Sequence, residues 1–160
     1  MKWECLLIPM LVLTAHAGHA DANDTAPWGS ATEIEQTYRG QKVVFDTTSG
    51  SPAGLTSVLD RASLISVLNG ADPVDHKIVI VLHGGAIPFF AIGNYAKNKD
   101  LMHRAQSLSV GEVVEFRMCR AAAHLQGFKP EDIHGFVRMV PMADAEIVRL
   151  QQEEGFAYMR

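Results

Sequence analysis

Cysteine is scarce in this chain, with two in 160 residues, Cys5 and Cys119. A disulfide framework of the kind that staples small secreted domains needs a larger, even set and is excluded. Basic stripes are lacking as well. The 14 Lys and Arg are outnumbered by 18 Asp and Glu, giving a formal net charge of -4, and the cations are scattered, which argues against nucleic acid as a partner. Neither the G-x-G-x-x-G fingerprint nor the Walker pattern occurs, which removes two common nucleotide-binding loops. His76, His83, His103, His124 and His134 form no short-spaced pair, so no metal site is expected. There is no internal repeat, and no apolar run of about 20 residues that would give a stable membrane span.

What is present starts with a leader. Lys2 supplies a small positive region, Leu6 to Leu13 an apolar one, and Ala15-His16-Ala17 or the stretch ending at Ala20 the small residues a signal peptidase needs. Residues 1–20 are therefore expected to be a secretory signal peptide and the mature chain to be periplasmic. Glu4 offsets Lys2 and Pro9 interrupts the apolar stretch, so a retained, membrane-associated N-terminus is the alternative. Residues 21–37 are polar, with scattered Pro, Gly, Ser and Thr and no apolar period, and predict a flexible lead-in. Residues 38–160 suit one domain with one core. Removal of the leader takes Cys5 with it and leaves Cys119 as an unpaired thiol, which is either reactive, paired between molecules, or buried.

Strand and helix patterns alternate along the domain. Lys42 to Asp46 is β-rich and is followed by the small polar loop Thr47 to Gly50. Ser51-Pro52 reads as an N-cap with proline at the first helical position, and Leu55, Val58, Leu59, Ala62 and Ile65 recur at helical spacing until Asn69-Gly70. Lys77 to Leu82 is almost continuously apolar, the mark of a strand covered on both faces. Ala86 to Ala96 is apolar, either core or a patch covered by a partner chain, and Asp100 to Leu108 is helical in pattern. Strands are expected over Val113 to Met118 and Phe136 to Val140, with a short helix from Ala121 to Gln126 between them. Ala143 to Glu154 predicts a helix stopped by Gly155 and followed by a terminal strand, Phe156 to Met159. This order predicts an α/β three-layer sandwich with a mostly parallel sheet of about five strands.

In such a sheet, ligands bind beyond the carboxyl ends of the strands. Three loops qualify: Asp46 to Gly50, His83 to Gly85, and Cys119-Arg120. Cys119 is expected at a helix N-terminus, where free backbone N–H groups, the helix dipole and the neighbouring Arg120 favour thiolate over thiol. The same residue also suits the last inward position of a strand, where a free cysteine simply packs. His124 lies five residues on, well around a helix of about 3.6 residues per turn from Cys119, so His83 is the better candidate for a partner. His83 equally suits a strand-end histidine bonded to a carbonyl. Gly84-Gly85 would let backbone approach an anion, or would simply make a tight turn. Asp46-Thr47-Thr48 would serve a polar ligand or a turn.

Four pieces, "KVVFDTTSG" (Lys42 to Gly50), "IVIVLHGGAIPF" (Ile78 to Phe89), "VEFRMCRAAAHLQGF" (Val114 to Phe128) and "EIVRLQQEEGFAYMR" (Glu146 to Arg160), together resemble the DsrE/DsrF family of small sulfur-relay proteins, which includes the TusD-type sulfurtransferase subunits. The resemblance implies a compact α/β sandwich, often trimeric or hexameric. It implies that Cys119, followed by Arg120 and three alanines, carries sulfur as a persulfide; Arg120, His83 and Gly84 are expected around the substrate from their place at the strand ends. It also implies that the partner is a sulfur donor or acceptor protein or a small thiol, and that no organic cofactor is needed. An exported chain would use a different donor and acceptor from the cytoplasmic relays. The rival expectations are a non-catalytic oligomeric binding module of the same fold and a thiol redox sensor.

Overall fold

The computed structural model describes residues 28–160; the leader read from residues 1–20 lies outside the described residues. Residues 28–36, the described part of the first of two units, are exposed and carry no helix or strand. Residues 37–160 form the second unit. Among its described residues, five strands make one sheet: β1 (Val43–Thr47), β2 (Ile78–Leu82), β3 (Val114–Cys119), β4 (Val137–Val140) and β5 (Ala157–Met159), in the order β4-β3-β2-β1-β5. Every neighbouring pair is parallel.

The helices are α1 (Pro52–Leu68), α2 (Tyr95–Ser109), α3 (Arg120–Leu125) and α4 (Ala143–Glu154). From β1 to β4 the chain steps along the sheet in one direction, so a constant crossover hand puts α1, α2 and α3 on one face. The return from β4 to β5, beside β1, runs the other way and puts α4 on the opposite face. The cores agree. Phe45, Ile80, Leu82, Phe116 and Met118 pack with Leu55 and Leu59 of α1 and Met102 of α2. Val44, Val79, Val81 and Cys119 pack with Ala143, Ile147 and Leu150 of α4. β2, at the centre, is buried at all five positions, which is why its sequence runs apolar without alternation.

Local chemistry sets the ends. The Ser51 side chain accepts from the Gly54 N–H at 3.1 Å and Pro52 opens α1, satisfying one free donor where proline supplies none. Gly155, left-handed at φ 73°, closes α4. The segment after β2 makes two 3-10 turns, Gly84–Phe90 and Ile92–Asn94. Ala86, Ile87, Phe90 and Ala91 are buried there, so most of this apolar stretch completes the core. Helix α2 begins five residues before the expected Asp100, because its first turn is polar and is set off by non-helical Asn98 (φ -120°, ψ 20°).

Candidate functional site

Side chains on a strand alternate between faces, and residues in register on parallel neighbours share a face. On β3 this sends Val114, Phe116 and Met118 into the core under α1 and α2, and Glu115, Arg117 and Cys119 toward α4. The register Val81↔Arg117 and Leu82↔Met118 ends β2; His83, next in the chain, keeps extended backbone at φ -152°, ψ -179°, so its side chain returns to the α4 side as Val81 does, at the level Cys119 occupies on β3. On β1, Asp46 pairs with Val81 and so faces α4 too. Asp46, His83 and Cys119 therefore sit at the carboxyl ends of three adjacent strands, all on the α4 face. Neighbouring strands lie about 4.8 Å apart; Asp46 stands level with Val81, two residues before His83, and the two side chains close that offset by their hydrogen bond.

Two hydrogen bonds organise the first part of this group. His83 Nε2 lies 2.5 Å from Asp46 Oδ1, and the Tyr158 hydroxyl donates to Asp46 Oδ2 at 2.7 Å. Burial opposes ionisation of Asp46, but the bonds from His83 and Tyr158, with the Arg160 charge nearby, overcome it and hold the carboxyl below its usual range. The bond to that carboxylate pushes the Tyr158 phenol up. Tyr158 reaches the site because β5 pairs with β1.

Cys119 closes β3 and caps α3: its Sγ accepts from the Ala122 N–H at 3.4 Å. One main-chain donor thus reaches the sulfur, while the aliphatic cluster beneath α4 leaves the residue only 5 % exposed. No hydrogen bond joins it to His83 among the described residues. Arg120 is exposed and looks onto a neighbouring cavity of about 350 Å³ that it lines with His124, Lys129 and Pro141. Gly84 has φ 54°, which favours glycine, and its carbonyl accepts from Gln126 Nε2 at 2.9 Å, tying the loop after β2 to α3. A Cβ on Gly85 would stand 2.8 Å from Gly50 Cα and N, so the two glycines let the loops after β1 and β2 touch.

Sequence reasoning missed two things. The first is Asp46 as the partner of His83, with Tyr158 as the second partner of Asp46, because only the strand order brings them together. The second is a buried ion network lower on the same face. Glu115 accepts from Lys77 (3.1 Å), Arg117 (2.9 Å) and Arg138 (3.0 Å); Arg117 also pairs with Glu146, which accepts from Arg149 at 2.9 Å. Its signal was legible: two charges at alternate positions of an otherwise apolar strand. Burial works against ionising Glu115, and the bonds from Arg117 and Lys77 outweigh it, holding the carboxyl down. For Glu146 the Arg149 bond is the larger influence, and Arg117 adds to it.

No three His, Cys, Asp or Glu among the described residues are placed to hold a metal ion, and no described helix is long and apolar enough to cross a membrane. The family model of DsrE/DsrF-like proteins matches residues 42–160, a span that includes every residue of this strand-end group. The chain belongs to the DsrE/DsrF-like family. Membership of this family points to sulfur relay as the class of chemistry. No curated protein matches the chain. Among solved structures, a protein of unknown function from Methanobacterium thermoautotrophicum is similar in fold, with a TM-score of 0.56 at 22 % identity over 77 % of this chain and 98 % of that one. The DsrE-like sheet and its helices are thus common to both.

Proposed function

We propose that this DsrE-family protein is a sulfur carrier of the periplasm that holds sulfane sulfur as a persulfide on Cys119, taking it from a protein or small-thiol donor and passing it to an acceptor thiol. The observation that carries the reading is the position of Cys119: the end of a central parallel strand, capping α3, with the Ala122 N–H directed at Sγ. The carboxyl ends of parallel strands are where ligands meet such sheets, and a thiol there can exchange with a persulfide as thiols do with disulfides. Arg120, exposed at the start of α3, suits an anionic donor arriving at that rim.

A second reading rests on the 5 % exposure of Cys119. In it the thiol packs beneath α4 and the protein is a non-catalytic binding module, as free cysteines are commonly buried. Intact-mass measurement of the folded protein after incubation with polysulfide, beside Cys119→Ala, separates the two. The carrier gains the mass of added sulfur and Cys119→Ala does not. Equal gain by both, or by neither, sinks the carrier reading.

A further inference from the structure

The carrier reading leaves unexplained why a histidine at the end of β2 is held by a carboxylate that is itself held by a tyrosine from the last strand. His83 Nε2 meets Asp46 Oδ1 at 2.5 Å and Tyr158 completes the carboxylate on its other oxygen at 2.7 Å. Side-chain exposures of 21 % for His83 and 19 % for Asp46 make this more than a surface ion pair. A carboxylate only accepts, so neutral His83 must donate from Nε2 and present the lone pair of Nδ1. The last paired residues of β2 and β3 are Leu82 and Met118, and one residue further along each chain stand His83 and Cys119, both on the α4 side as Val81 and Arg117 are. We propose that Asp46 and Tyr158 are positioning residues that fix this tautomer of His83, and that His83 is the proton carrier for Cys119. The proposal rests on the carrier reading for its purpose, though the geometry concerns the thiol alone.

The step balances without an external oxidant. His83 Nδ1 takes the Cys119 proton; the thiolate attacks the outer sulfur of a hydropersulfide R–S–SH. A bond forms between Sγ and that sulfur as its bond to the R-bearing sulfur breaks. The leaving RS⁻ takes the proton from the imidazolium and departs as RSH, leaving Cys119 as a persulfide. Delivery to an acceptor thiol follows the same course, with the acceptor's proton passing through His83 to Cys119.

The test is alkylation of the native full-length protein, carrying Cys5→Ser so that Cys119 is its single thiol, by iodoacetamide as a function of pH, read by intact mass, with urea unfolding to confirm each variant's fold. The charged and titratable groups that face this chain of bonds are Asp46 of β1 on His83, Tyr158 and Arg160 on Asp46, and Asp144 of α4 on Tyr158, with Cys119 at the end of the next strand. His83→Gln is expected to slow Cys119 labelling at neutral pH by about a hundredfold and move its pH midpoint upward. Asp46→Asn is expected to do so by about tenfold, because an amide can donate to Nε2 and force the proton onto Nδ1. The ring ¹⁵N shifts of His83 read that tautomer exchange directly, which a merely structural role would not move. Tyr158→Phe gives a smaller shift of the same sign. If His83→Gln and Asp46→Asn label at the wild-type rate with an unshifted profile, the relay is overturned even where polysulfide still loads Cys119. If the variants slow labelling while polysulfide adds nothing to wild type, the relay stands and the sulfur-carrier reading fails. Native protein that labels only after unfolding overturns both.

Discussion

Two polar clusters share the face of the sheet that α4 covers, and meet on β3, where Arg117 and Cys119 are two residues apart. In the one built on Glu115, Arg117 and Glu146, each of these groups meets opposite charge, and the side chains are 8 %, 12 % and 11 % exposed. In the one built on Asp46, His83 and Cys119, the carboxylate is satisfied by two donors, but among the described residues a histidine nitrogen and a thiol remain without side-chain partners. Burying charge is tolerable only when it is fully paired, and the first cluster meets that condition. The second keeps valences open at the strand ends where ligands approach. The closed cluster reads as structure and the open one as chemistry, and each can be broken separately.

The largest expected effect is on the closed cluster. Arg117→Met leaves Glu115 to Lys77 and Arg138 and Glu146 to Arg149. Breaking a buried pair from one side costs about 3 kcal/mol, measurable as a lowered urea midpoint. Labelling of Cys119 in the variant while still folded should stay within about twofold of wild type, since Arg117 touches none of the open cluster; this is the sharpest check on the separation.

Gly85→Ala comes next, and strikes the open side. The added Cβ would press on Gly50 Cα and N at 2.8 Å and on the Thr48 carbonyl at 3.1 Å, all backbone that yields only by shifting the loops after β1 and β2. Overpacking of this kind costs roughly 2 kcal/mol. Because the loop after β2 starts at His83 and the loop after β1 follows Asp46 by one strand residue, thiol labelling should fall further than in Arg117→Met despite the smaller loss of stability. The reverse order would show that the two clusters are not independent.

Acid distinguishes them by number of carboxylates. Glu115, Glu146 and Asp46 all have carboxyls held below their usual range in the folded state. The unfolded chain binds protons first as pH falls, so the stability they contribute is present above the ordinary carboxylate range and is lost as pH drops through it and below. Each group taking up a proton on unfolding adds up to about 1.4 kcal/mol per pH unit to the slope. Urea unfolding at stepped acidic pH should show Asp46→Asn flattening that slope by removing one depressed carboxyl outright, and Arg117→Met flattening it through Glu115 and, less, through Glu146, which keeps Arg149.

How much of this was legible in the sequence follows from the range of the interactions. Helix α4 is found at its expected bounds, Ala143–Glu154, because its stop, Gly155, is a local signal. The strand after it is found at Ala157–Met159, within a residue of expectation. Cys119 was legible as a strand-to-helix residue, since apolar alternation gives way there to an alanine run. Helix α2 was started too late, since Tyr95 to Lys99 carries neither an apolar period nor a cap. The Asp46–His83–Tyr158 bonds were not legible at all. They join residues 37 and 112 positions apart, and exist only because β1 lies between β2 and β5. No local pattern encodes that neighbour relation.

The smallest effect sharpens where the closed cluster keeps its energy. Arg149 donates to Glu146 through Nε at 3.1 Å and Nη2 at 2.9 Å and to Glu154 at 2.6 Å, more bonds than Arg117 makes to Glu146. A count of contacts would rank the two arginines as equals. Their surroundings differ: the Arg149 side chain is 37 % exposed against 12 % for Arg117, and water replaces what an exposed pair loses while salt screens what it keeps. Arg149→Ala should therefore cost only about 0.5 kcal/mol, and less in high salt, because Glu146 keeps Arg117 inside. The urea midpoint of Arg149→Ala against Arg117→Met, at low and high ionic strength, checks this. A loss for Arg149→Ala as large as that for Arg117→Met would mean that the network is anchored at its rim, and that the boundary between the closed cluster and solvent has been drawn on the wrong side of Glu146.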